Sequence, residues 1–188
     1  MTEVQTIDAD GGAIPYVDEG SGPAVVLLPS SGRDVHYLGM LAASLIAEDF
    51  RVVRIGWPES GADASAMADH AADVVAVMDA LDLDHAWVGG HAFGGSVARA
   101  VSHAHHDRVN GVLLLGVDDP EATLADGIPV LVIQGEADDV TPPANGEALK
   151  DAAPGLVSVV AIDGAGHMFA ETHVGATSWA IEDYLDWD

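Results

Sequence analysis

One stretch limits what this chain can fold into more than any other: Ala86-Trp87-Val88-Gly89-Gly90-His91-Ala92-Phe93-Gly94-Gly95-Ser96. An apolar run ends at Val88, glycines crowd the next positions, and a helical apolar pattern follows at Val97, Ala98 and Val101. That order predicts a buried strand passing through a very tight turn into a helix. Gly90 and Gly94, two residues either side of Ala92, let strand and helix approach closely because neither carries a Cβ. The spacing is that of a Gly-x-Ser-x-Gly elbow, whose central residue sits on a strained strand-to-helix turn. Here the central residue is Ala92, which has no nucleophilic atom.

Around this stretch, short apolar runs alternate with helical periods, a pattern of βαβ units and a mostly parallel, doubly wound sheet. Residues 4–8 and 13–18 read as an edge hairpin turned by Asp10-Gly11-Gly12. Residues 24–28, Ala-Val-Val-Leu-Leu, are apolar on both faces, as a central parallel strand requires. A helix is expected over 35–47. A strand follows over 51–55, then a loop over 56–61. A long helix is expected over 63–81, with Ala71, Val74, Val75, Met78 and Leu81 at three- and four-residue spacing. Further strands are expected at 112–115, 130–133 and 157–162, with helices over 142–152, begun by prolines, and 174–186. In the last helix Trp179, Ile181, Tyr184 and Leu185 are the candidate packing residues. With 188 residues and no linker, repeat or low-complexity tract, residues 1–188 are expected to form a single domain with a sizeable core.

Charge narrows the function classes. Thirty-one acidic residues face six basic ones, for a net charge of −25. Such a surface repels nucleic acid and anionic membranes, because it cannot neutralise phosphates. The acids are spread along the chain and not gathered in a tail. Adaptation to molar salt, where the Debye length shrinks to roughly 3 Å, is favoured over an acidic partner-binding patch. Lys150 is the only lysine, as in proteins of salt-in halophiles, and the expected location is a salt-rich cytoplasm. The first residues lack the basic start and apolar core of a signal peptide, and no run of about 18 apolar residues suggests a membrane span. Without cysteine there is no disulfide, thiolate metal site or thiol nucleophile.

In a doubly wound sheet, ligands bind outside the carboxyl ends of the strands. Three loops fall there: the elbow, Gln134-Gly135-Glu136-Ala137-Asp138-Asp139-Val140-Thr141-Pro142, and Asp163-Gly164-Ala165-Gly166-His167-Met168. Position 92, Asp138 and His167 follow the chain order nucleophile, acid, histidine. With Leu27-Leu28-Pro29-Ser30-Ser31-Gly32-Arg33 in front, the chain resembles the α/β-hydrolase fold family over nearly its whole length. The resemblance implies a three-layer α/β fold and hydrolysis of a small carboxylic ester, with no cofactor. Ala92 would stand at the nucleophile position, His167 would be general base and acid, and Asp138 would hold its tautomer. Asp139, Asp118 and Asp119 are the weaker candidates for the acid. The oxyanion hole would come from the N–H groups of Phe93 and Ser31, each such donor typically worth about 2.7–4 kcal/mol. Ser30 and Ser31 could instead cap the helix expected at 35. Ser30, Trp57, His91 and Met168 are the candidate pocket residues.

Two departures from the family pattern stand out. Only about ten residues separate Val117 from Ile128, which leaves no room for a helical lid or for the usual helix between those strands. The second is Ala92. It is an engineered serine-to-alanine change, or a native feature in which His167 and Asp138 activate water or a substrate proton directly, or the mark of a ligand-binding pseudoenzyme. A family branch with a Pro-Ser-x-Gly-Arg loop also resembles this chain in carrying Gly-His-Ala-Phe-Gly. Of the other histidines, His103 and His106 share a helix face and are read as a cationic helix C-terminus in preference to a metal site. His91 could substitute as a base. His36, His70, His85 and His173 are read as surface or packing residues. No metal is expected, and the sequence leaves oligomeric state open.

Overall fold

The computed structural model describes residues 2–10, 12–58, 61–62 and 66–186. Eight strands form one sheet in the order β1-β2-β4-β3-β5-β6-β7-β8. The strands are β1 (Gln5–Ala9), β2 (Gly12–Gly20), β3 (Ala24–Leu28), β4 (Arg51–Ile55), β5 (Ala86–His91), β6 (Val109–Leu115), β7 (Val130–Gly135) and β8 (Val157–Ile162). β2 is antiparallel to both β1 and β4, and every other pairing is parallel. The helices are α1 (Gly39–Ala47), α2 (Met67–Ala80), α3 (Phe93–Ala104), α4 (Pro143–Ala152), α5 (Phe169–Thr172) and α6 (Val174–Asp186).

The central strands are apolar throughout because both sheet faces are covered. Val26 and Leu28 of β3, Val112 and Leu114 of β6, and Val130 and Val132 of β7 pack with Val74 and Met78 of α2 and Val97 and Val101 of α3. The alternate residues Val25, Leu27, Leu113, Leu115, Leu131 and Ile133 pack on the other face with Leu41 and Leu45 of α1 and Ile181 of α6. The result is a three-layer α/β sandwich with two cores separated by the sheet.

Three expectations are corrected. The helix expected from 35 begins at Gly39. Residues 34–38 form turns instead: the Asp34 carboxylate accepts the N–H of His36 at 2.9 Å, and the Tyr37 N–H bonds back to the Asp34 carbonyl. An Asx turn competes with helix initiation in this way. Ser30 and Ser31 therefore do not cap α1. Trp179, expected to pack, is 64% exposed. At 100° per residue it lies on the face opposite Ile181, while Ile181 and Leu185, four residues apart, share the buried face. Of the helix expected over 63–81, α2 covers Met67 to Ala80. Residues 63–65, Gly11 of the first turn, and Glu59 and Ser60 of the loop after β4 lie outside the described residues.

The segment over 116–129, between β6 and β7, holds no helix and no lid. It is tied to α3 instead. The buried guanidinium of Arg99 donates to the carbonyls of Asp119 and Ala122, and lies 3.7 Å from the Asp118 carboxylate. His103 and His106 bond the carbonyls of Thr123 and Asp126 at 3.0 and 2.8 Å. These two rings, at the C-terminal end of α3, fasten the loop to the helix. Among the described residues, no group of three metal-ligating side chains could hold an ion, and no helix is long and apolar enough to cross a membrane.

Candidate functional site

The elbow forms as the glycine spacing requires. Ala92 has φ 49° and ψ −109°, a region that non-glycine residues enter at a cost of about 1–3 kcal/mol. Its N–H is held by the Leu115 carbonyl at 2.9 Å, and its own carbonyl accepts the N–H groups of Gly95 and Ser96. A Cβ on Gly90 would stand 2.6 Å from the Leu28 carbonyl oxygen, and one on Gly94 would stand 2.4 Å from it. The missing side chains therefore let α3 press its N-terminus against the end of β3. Phe93 is the first residue of α3, so its N–H has no acceptor within the helix. The loop carrying Ser30, Ser31 and Arg33 is held beside it. Trp57 donates its Nε1–H to the Ser30 carbonyl at 3.2 Å, and the buried Arg54 donates to the Val35 carbonyl at 3.1 Å.

Asp138 and His167 arrive from the loops after β7 and β8. The Nδ1 of His167 lies 3.0 Å from Oδ2 of Asp138 and 3.2 Å from Oδ1. Asp138 is buried and accepts the N–H groups of Val140 and Thr141 at 2.9 Å and the Thr141 hydroxyl at 2.6 Å. Burial pushes its carboxyl up, but these hydrogen bonds and that of His167 outweigh it, and the net shift is downward. The carboxylate stays ionised and accepts the Nδ1 proton of His167, which leaves Nε2 on the opposite edge of the ring. Asp139 beside it is exposed. Asp118 is taken by Ser96 and Arg99, and Asp119 caps the N–H groups of Glu121 and Ala122. Of the four acids considered, His167 meets only Asp138.

Ser30, Ser31, Ala92, Phe93, His167 and Met168 line one cleft of about 370 Å³. Arg33, Asp118, Val140 and Thr141 complete its wall. Trp57 lines a neighbouring cleft of about 440 Å³ that shares Ser31 and Arg33 with the first. His91 lines neither. It is fully buried, and its Nε2 lies 2.9 Å from the His167 carbonyl oxygen. A carbonyl only accepts, so Nε2 carries the proton and Nδ1 accepts the Tyr37 hydroxyl at 3.0 Å. Burial, then the neighbouring His167, push the His91 imidazole down to about 4. A neutral ring with both nitrogens engaged supports the His167 loop and does not face substrate. Thr141 and Tyr37 were not singled out by sequence reasoning. The Asp138-x-x-Thr141 spacing of a side-chain turn was the available signal for the first. Nothing local marked the Tyr37 hydroxyl, whose partners lie 54 and 131 residues away.

Sheet order, elbow and loop positions together define an α/β-hydrolase fold. The model of the alpha/beta hydrolase family, which matches residues 24–174, places the chain in that family: it is a member. A thermophilic esterase from Thermogutta terrifontis superposes with a TM-score of 0.84 at 18% identity, covering 98% of both chains. An epoxide hydrolase from Vigna radiata gives 0.83 at 13% identity, covering 100% of this chain and 98% of that one. In sequence, the chain is 36% identical over 107 residues to a 2-heptyl-3-hydroxy-4-quinolone dioxygenase of Rhodococcus erythropolis, covering 52% of this chain and 38% of that protein. It is 30% identical to a zearalenone hydrolase of Bionectria ochroleuca, covering 52% and 40% respectively. The matched stretch thus spans about two fifths of the length of these relatives.

Proposed function

We propose that the chain is a hydrolase of small carboxylic esters in which His167, oriented by Asp138, acts as the general base on water. The observation that carries this reading is the Asp138–His167 pair at 3.0 Å in the same cleft as Ala92 and the start of α3. Water gives a proton to Nε2 of His167 and its oxygen bonds to the ester carbonyl carbon. The carbonyl oxygen becomes an alkoxide, held by the N–H groups of Phe93 and Ser31. Collapse of this intermediate breaks the bond to the alcohol oxygen, which takes the proton back from His167. With serine at position 92 the same set would run through an acyl-enzyme. The excess of acids is read as adaptation to a salt-rich cytoplasm, and the substrate as a small molecule, not nucleic acid or membrane.

A second reading is proton abstraction from a substrate carbon or hydroxyl by His167 without hydrolysis. It is favoured by Ala92 together with a 36%-identical relative whose name is that of a dioxygenase. The test is turnover of short-chain p-nitrophenyl esters in molar salt by the chain and by Ala92→Ser. Slow turnover by the chain that is lost in His167→Gln, with a burst in Ala92→Ser, supports the first reading. If neither hydrolyses an ester while the chain exchanges a substrate proton for deuterium through His167, the second reading replaces it. Ligand binding without any turnover identifies a pseudoenzyme.

A further inference from the structure

We infer that Arg33 is a substrate-specificity residue that makes this cleft a site for esters carrying a second, anionic group such as a carboxylate. The inference rests on the ester-hydrolase reading above and adds the substrate class. Four of the six basic side chains are consumed by ion pairs: Arg51 with Asp18, Arg54 with Glu19, Arg99 with Asp118 and Arg108 with Asp79. Among the described residues, only Arg33 and Lys150 have no carboxylate within 4.0 Å. Lys150 lies in the last turn of α4. Arg33 lies in the wall of the cleft that holds Ala92 and His167, and in that of the adjoining cleft. A chain with 31 acids thus leaves an arginine unmatched at the mouth of its site.

The guanidinium is also held in place. It sits over the Tyr37 ring, 5.2 Å from the centroid, and one terminal nitrogen approaches Sδ of Met168 at 4.0 Å. A cation over an aromatic face is attracted by the ring, and the planar fork keeps its edge N–H donors for another partner. The sulfur is a weak acceptor and uses one of them. Tyr37 in turn bonds His91, which bonds the carbonyl of His167, so the cation is registered against the base by a continuous set of contacts. The need for it follows from the field of the whole protein. A net charge of −25 repels anions, and a local, geometrically matched cation is what retains one at contact distance. Arg33 is exposed, so the expected effect is about tenfold in binding and not more.

The test compares 4-nitrophenyl hydrogen glutarate, a monoanion, with neutral 4-nitrophenyl pentanoate in molar salt. It uses the Ala92→Ser background, with Arg33→Gln, Arg33→Lys or Lys150→Gln added. The anionic-to-neutral ratio of kcat/KM falls about tenfold in Arg33→Gln, falls less in Arg33→Lys and stays put in Lys150→Gln. An unchanged ratio in Arg33→Gln, or an equal fall in Lys150→Gln, overturns the proposal. Calorimetric titration of the unmodified chain with glutarate separates this from the parent reading. If no ester is hydrolysed by any variant, the hydrolase reading fails. A Kd for glutarate about tenfold weaker in Arg33→Gln then still supports the anion site. Equal Kd values, or no glutarate binding by the unmodified chain, overturn it.

Discussion

The fully buried ring of His91 donates its Nε2 proton to the backbone carbonyl of His167 at 2.9 Å. Residue 91 of the elbow strand thereby fixes the height of the loop that carries His167, 76 positions later. His167 is held at its Nδ1 by Asp138 and through its backbone by His91.

That arrangement makes stability depend on pH. An unfolded His91 takes up a proton below about 6.5, and the folded one not until about 4. Between these values the unfolded state binds more protons, so stability falls as pH falls from 6.5 towards 4 and this contribution then levels off. The full change is on the order of 3 kcal/mol. Asp138, whose carboxyl is held below its ordinary value, contributes only at lower pH. Urea unfolding in molar salt measures the slope, and His91→Gln should flatten it. An equal slope in that variant would remove His91 from the account.

Asp138→Asn keeps the size of the side chain and loses the acceptor that selects the His167 tautomer. Activity should fall by about 10³–10⁴-fold in the Ala92→Ser background, with KM little changed. Initial rates on a short-chain p-nitrophenyl ester measure it. A fall of less than tenfold would mean that His167 is oriented by other groups.

The elbow predicts opposite outcomes for neighbouring small-residue changes. Ala92→Gly relieves the positive φ, worth about 1–3 kcal/mol, against an unfolded-chain penalty of about 0.4–1 kcal/mol. It should be stabilising by up to about 2 kcal/mol. Gly94→Ala sets a Cβ 2.4 Å from the Leu28 carbonyl oxygen and 2.6 Å from that of Pro29. Both are backbone atoms that cannot swing away, so the loss should be about 1–3 kcal/mol or more. Chemical denaturation of both variants checks the pair, and the reverse order would show that the turn is relaxed.

Salt should stabilise the protein. Thirty-one acids against six bases repel one another over the roughly 10 Å Debye length of dilute buffer and much less over the roughly 3 Å length at molar salt. The melting temperature should rise steadily from low to molar potassium chloride. A flat profile would sink the halophilic reading.

Much of this was legible in the residues. Doubly apolar runs such as Val25 to Leu28 specify strands covered on both faces, and the glycine spacing around Ala92 specifies the elbow. Both are local properties of a few consecutive side chains. Helix boundaries were less legible, because side-chain turns such as that of Asp34 compete with helix at close energies.

What the sequence by itself determined was the parallel α/β architecture, the strained turn at Ala92 and the loops at the carboxyl ends of the strands. What only the tertiary structure decided was which side chains meet there. It matched His167 to Asp138 and not to Asp118, Asp119 or Asp139. It buried His91 beneath the His167 loop and brought Arg33 against Met168. These are contacts between residues far apart in the chain, set by how strands pair and layers pack. No local period or spacing encodes them.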